Sequence, residues 1–145
     1  MIIACGALAR ELRDVVDANG WRDVSIECLP ANLHNRPDKI APLMRERLEQ
    51  ASGHHQRILV GYADCGTGGS LDRLCEEYGV ARLPGAHCYE FFAGSDAFRD
   101  INDNDPTAFY LTDYLAKHFD RIIMEGLGIE RHPELLQMYF GNYTR

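Results

Sequence analysis

Three cysteines lie where a strand is expected to end. Cys5 follows the apolar run Met1-Ile2-Ile3-Ala4 and precedes Gly6; Cys65 sits inside Gly61-Tyr62-Ala63-Asp64-Cys65-Gly66-Thr67-Gly68-Gly69; Cys88 follows His87 after an extended segment that begins at Ala81. A thiolate is both a nucleophile and a soft metal ligand. Three thiolates and one imidazole suit tetrahedral zinc, and three thiolates alone suit an iron–sulfur cluster with one open iron, by analogy with four-cysteine ligation. His34 and His87 are the candidate imidazoles. There is no CxxC pair, so spacing does not separate these readings from plain packing of small cysteines at strand ends.

The glycine-rich stretch has a second reading. The amides of Gly66, Thr67, Gly68 and Gly69 open a helix, where backbone N–H groups can hold phosphate or carboxylate. Asn35 is expected on the same rim. The stretch is neither a P-loop nor a GxGxxG fingerprint, and a tight turn with no ligand is the alternative. The helix start also favours thiolate at Cys65. Asp64 is expected to be a solvated carboxylate. Cys28 and Cys75 fall on apolar faces and are expected to pack in the core, as is His118 in part; His54 and His55 are expected in solvent.

Positioning these side chains requires strands and helices in alternation. Period-two and apolar runs predict strands at 1–5, 23–29, 57–62 and 81–84, the last resuming near 89–92. Helical spacing predicts helices at 7–18, from a cap at Asp38 through Ile40, Leu43, Met44 and Leu48, at 69–78 with Gly79 as C-cap, at 112–125, and a short one through Leu135, Leu136 and Tyr139. Residues 93–107 read as polar and irregular. The alternation predicts a three-layer α/β fold, with an open parallel sheet of four or more strands in Rossmann-like or flavodoxin-like order 2-1-3-4, in a single domain over 1–145. Ligands of such sheets bind beyond the carboxyl ends of the strands. That edge would gather Cys5, His34, Cys65, His87 and Cys88.

The composition bounds the partners. The 145 residues suit one domain, 46% are apolar, and no run approaches a membrane span. A signal peptide is not expected, because the N-terminus lacks a basic region and its apolar run breaks at Cys5-Gly6. Cytoplasmic location is the expectation. A net charge of -7 argues against nucleic-acid binding, and five cysteines in a reducing compartment read as free thiols, ligands or nucleophiles.

The chain resembles the bacterial and archaeal proteins grouped as domain of unknown function 1638. The matching stretches are Ala4-Cys5-Gly6-Ala7-Leu8, Leu33-His34-Asn35-Arg36-Pro37, Gly61-Tyr62-Ala63-Asp64-Cys65-Gly66, Pro84-Gly85-Ala86-His87-Cys88 and Phe92-Ala93-Gly94-Ser95, with a weaker match at Phe140-Gly141-Asn142-Tyr143. One departure is that the family tends to read His-Asp-Cys where this chain has His87 and Cys88 adjacent. The resemblance implies a longer C-terminus in the parent protein, which the β-prone ending after Phe140 also suggests. It also implies a context of corrinoid-dependent methyl transfer and one-carbon metabolism.

Three functions follow as expectations. One is a metal-dependent small-molecule enzyme, a transferase or lyase, using zinc or an iron–sulfur cluster held by Cys5, Cys65 and Cys88 with His34 or His87. Another is a non-catalytic carrier or accessory protein serving a corrinoid protein or methyltransferase. The last is a metal-free enzyme with Cys65 as nucleophile. None of them calls for nucleic acid or a membrane.

Overall fold

Four short parallel strands build the sheet in the computed structural model, which describes residues 1–144. They are β1 (Ile2–Cys5), β2 (Ile26–Leu29), β3 (Leu59–Gly61) and β4 (Ala81–Arg82), in the order β2-β1-β3-β4. The register pairs Ala4 of β1 with Cys28 on one side and Gly61 on the other. Helices α1 (Ala9–Ala18), α2 (Ile40–Ala51) and α3 (Ser70–Tyr78) connect the strands. This is the expected three-layer α/β arrangement, with the expected strand order.

Alternation along β1 explains the layers. Ile2 and Ala4 face one side, where they pack with Val16 of α1 and with Leu12, Val24, Ile26, Cys28 and Leu59. Ile3 points to the opposite side and is fully buried, as are Met44 and Leu48 of α2, Val60, and Leu71 of α3. Right-handed crossovers put α1 on one face and α2 and α3 on the other. Gly61 is a packing requirement: a Cβ there would come within 2.5 Å of the Ala4 Cβ.

The strands are shorter than expected. Pairing of β2 begins where the Ile2 amide donates to the Ser25 carbonyl, so Asp23 and Val24 stay outside the ladder. Asp38 does not cap α2. It lies in a 3-10 turn, Pro37–Lys39, and pairs with Arg36 and Lys39. Gly79 does end α3, in a left-handed conformation.

The chain divides into two compact units, Met1–His87 and Cys88–Arg145, and the sheet belongs to the first. In the second, the expected strand near 89–92 is a helical turn, α4 (Glu90–Ala93), because successive amides bond back three or four residues: Phe91 to Cys88, Phe92 to Tyr89 and Gly94 to Glu90. The stretch expected to be irregular holds α5 (Ser95–Asn104); Phe98 and Ile101 give it helical spacing that the acidic residues around them obscure. The expected helix at 112–125 is two pieces. α6 (Asp113–Lys117) is capped by Thr112, whose hydroxyl accepts from the Leu115 amide, and a π-helical segment, Asp120–Glu125, follows. α7 (Leu135–Phe140) is the last helix. Leu115, Ile122, Ile123 and Ile129 are buried here, and Phe109 meets Phe119, Phe140 and Tyr143 edge-on. The His118 ring lies against Tyr114 in a tilted arrangement, with centroids 4.5 Å apart. Among the described residues no helix is long and apolar enough to cross a membrane.

Candidate functional site

A parallel sheet sends every strand out of one edge, so the segments that follow the four strands emerge together. Cys5 is the last residue of β1 and is buried. His34 and Asn35 close the 3-10 turn Ala31–Asn35 after β2. Cys65 lies in the turn between β3 and α3, half-buried. His87 ends the segment after β4, and Cys88 begins the second unit in a turn.

Close contacts tie these segments of the first unit into one rim. A Cβ on Gly6 would come 2.8 Å from the Leu29 carbonyl oxygen and 3.2 Å from the Ala31 nitrogen, so the exit of β1 lies against the exit of β2. A Cβ on Gly66 would stand 3.5 Å from Pro37, which brings the turn after β3 to the segment after β2. The Asp64 amide donates to the Gly85 carbonyl at 3.1 Å and the Cys65 amide to the Ala86 carbonyl at 2.8 Å. His34 and His87 are near enough for their charges to interact. Cys5, His34, Cys65 and His87 thus belong to four mutually braced segments.

The electrostatics of the rim act against charge on His34. Although His34 keeps an exposed edge, the protein around its ring disfavours the cation and lowers its pKa, and His87 pushes it the same way. Burial pushes the Cys28 and Cys75 thiols up, which suits their packing positions. Among the described residues, no group of three or more His, Cys, Asp or Glu side chains is arranged to hold a metal ion.

Two features of the turn were not anticipated from sequence. Cys65 adopts φ 49°, and among the described residues it is the one non-glycine residue with positive φ. Such a conformation costs on the order of 1–2 kcal/mol for an L-residue. The second feature is Asp64, which is no solvated bystander. Its Oδ1 accepts from the Thr67 hydroxyl at 2.7 Å and the Gly69 amide at 3.0 Å, and its Oδ2 from the Gly68 amide at 3.3 Å. Together with the Gly66 amide, these donors hold the carboxyl below its usual range. The Thr67 amide bonds to the Asp64 carbonyl and the Ser70 amide to the Thr67 carbonyl. Of the amides expected to meet an outside anion, those of Gly66, Gly68 and Gly69 therefore hold the chain's own carboxylate, and that of Thr67 holds the Asp64 carbonyl. The signal was legible in principle: an Asp with Thr three residues on, followed by glycines, is a side-chain-to-backbone turn motif.

Behind the turn, Arg82 of β4 holds the segment that carries His87. Its guanidinium grips Asp72 of α3 with Nε to Oδ1 at 2.6 Å and Nη2 to Oδ2 at 3.1 Å, and its Nη1 donates to the Leu83 carbonyl at 2.7 Å and the Gly85 carbonyl at 3.3 Å. Gly85 is the residue whose carbonyl receives the Asp64 amide. One side chain thus connects α3, β4 and the rim.

Comparison with known proteins gave a single kind of match. A family model described as "Protein of unknown function (DUF1638)" covers residues 28–145. No curated protein and no solved structure matched.

Proposed function

The chain belongs to the DUF1638 family, and we propose that it performs thiol-based group transfer on a small electrophilic molecule at the carboxyl edge of its sheet. The observation that carries this reading is Cys65 at φ 49° in the turn from β3 to α3. Backbone strain of this kind persists only where the surroundings enforce it, and it clusters at reactive positions. Holding a nucleophile on a strained strand-to-helix turn is the device of the nucleophile elbow. In the proposed step the Cys65 sulfur bonds to the electrophilic carbon, and the bond from that carbon to its leaving group breaks with its electron pair. The thiol proton passes to His34, whose neutral imidazole is the form able to accept it. The resemblance to proteins of methyl-transfer context makes one-carbon and acyl groups the first candidates for transfer.

Mass-resolved iodoacetamide labelling tests the reading. Cys65 should label ahead of the other four cysteines, and His34→Ala should slow it. Exposure to small methyl and acyl donors should leave a mass increment that Cys65→Ser abolishes. Labelling of all five cysteines at similar slow rates would refute the proposal.

One observation favours a second reading, metal binding. A neutral imidazole is the ligating form of histidine, and the protein around the His34 ring, with His87 acting in the same direction, lowers its pKa. Zinc or an iron–sulfur cluster on Cys5, His34, Cys65 and His87, all in the first unit, would then make the protein a metal-dependent enzyme or an accessory to a methyltransferase. Elemental analysis after anaerobic purification decides it: stoichiometric metal supports this reading, and metal-free protein with a reactive Cys65 supports the first.

A further inference from the structure

A cavity of about 460 Å³, within the range of small-molecule sites, lies at the opposite edge of the sheet from the rim, where α1 ends and β2 begins. Val16 of α1, Val24 and Ile26 give it an apolar side. β2 is an edge strand, and Val24 and Ile26 stay only partly buried beside Val16. The end of α1 sets the position of Trp21. Gly20 adopts φ 64°, its amide donates to the Asp17 carbonyl at 3.0 Å, and the Trp21 amide donates to the Val16 carbonyl at 3.1 Å. These are the paired bonds of a Schellman ending. The apolar contact that commonly accompanies such an ending would hide the residue after the glycine, yet Trp21 stays 50% exposed.

Two guanidiniums complete the lining. Arg13 of α1 lies close enough to β2 for its charge to act on Cys28, and Arg22 follows Trp21. Among the described residues neither forms an ion pair. We propose that this cavity binds an aromatic or heteroaromatic anion, with the ring against Trp21 and the apolar side and the phosphate or carboxylate on Arg13 and Arg22. A guanidinium offers two parallel N–H groups to either anion, and an indole face favours a flat ring. Asp17, also in the lining, repels an anion beside it and so confines that group to the arginines; it can accept from a ring N–H or hydroxyl. Asp14 is engaged by Arg10. All the lining residues precede the stretch that the family model covers, 28–145.

The chain has one tryptophan, so a single indole N–H signal in a nitrogen–proton NMR spectrum reads this cavity. Titration with phenyl phosphate or benzoate, which carry the two anions on the same ring, should move that signal saturably. Arg13→Gln and Arg22→Gln should each weaken binding about tenfold, the ordinary effect of losing a hydrogen bond to a charged group. Both side chains are exposed, so the variants should keep the wild-type spectrum elsewhere. Phenol has the ring without the charge, and inorganic phosphate has the charge without the ring. Each should bind at least about tenfold more weakly than phenyl phosphate. Absence of a saturable shift with both phenyl phosphate and benzoate would overturn the inference, as would unchanged affinity in both arginine variants. Inorganic phosphate binding as tightly as phenyl phosphate would overturn it too, because surface charge alone would then be at work. Cys65 and the rim take no part in the readout, so the outcome is independent of the group-transfer reading.

Discussion

Replacing Gly61 by alanine should break the seam between β1 and β3. The new Cβ would stand 2.5 Å from the Ala4 Cβ, 3.2 Å from the Ala4 Cα and 3.4 Å from Ile2 Cγ2. Carbon atoms prefer a separation of about 3.5–4.0 Å, so the strands would have to part by about 1 Å. The obstacle is main chain and its first carbon, with no long side chain to swing away. Overpacking of this kind costs about 1–3 kcal/mol, and the upper end is expected here. The compensating change is Ala4→Gly, which on its own should cost about 1–2 kcal/mol through a lost buried methyl and added chain freedom. In the double variant the glycine has moved across the seam and the worst contact is gone. Its destabilisation should fall short of the sum of the two singles by at least about 1 kcal/mol, since residues in contact couple. Urea unfolding followed by far-ultraviolet circular dichroism measures all four proteins. If Gly61→Ala lies within about 0.5 kcal/mol of wild type, the range of an uneventful substitution, or if the singles simply add, the account of the seam is wrong.

Cys65→Gly should remove thiol reactivity while leaving stability unchanged or raised by up to about 1 kcal/mol, because relief of the left-handed strain offsets the added chain freedom; Cys65→Val should lower it, a contrast that thermal melts will show. Arg82→Lys should cost about 1–2 kcal/mol through loss of the two-pronged grip on Asp72 and the bonds to Leu83 and Gly85; an unchanged urea midpoint would count against the connecting role. His34 has a folded pKa below its ordinary 6.5. The unfolded chain therefore takes up this proton first as pH falls, and stability should decline from about pH 6.5 downward; His34→Gln should flatten that part of the stability profile, and an identical profile would refute the assignment.

The parallel order was readable because apolar runs and helical spacing alternate strictly through the first unit, and short crossovers leave few topologies. The lengths of the strands were not, because a ladder ends where backbone partners end and not where side-chain alternation ends: Val24 keeps the alternation of Ile26 and Cys28 but has no rung. In the second unit the aromatic run Tyr89–Phe92 looked like a strand, yet local amide bonding made it helical. Charge hid α5, and nothing in the pattern marked the break between α6 and the π-helical segment. At the rim, residue types and topology named Cys5, His34, Cys65 and His87, and the grip on Asp64 lies within residues 64–69, whereas the φ of Cys65 belongs to a turn whose amides also meet the distant Gly85 and Ala86 carbonyls, which no short window of sequence contains.

The two-residue length of β4 has a consequence for how the rim opens. β1 and β2 share four register pairs, while β3 and β4 share two. Protection against amide hydrogen exchange follows the free energy of the smallest opening that exposes the amide. The bonds from Asp64 and Cys65 to Gly85 and Ala86 can therefore part together with β4 while β1, β2 and α1 remain folded. The Asp64 and Cys65 amides, at the seam with the segment after β4, should therefore exchange well ahead of Ile3 and Val60. An opening confined to the shortest strand would expose the turn that carries Cys65 while leaving the centre of the sheet paired.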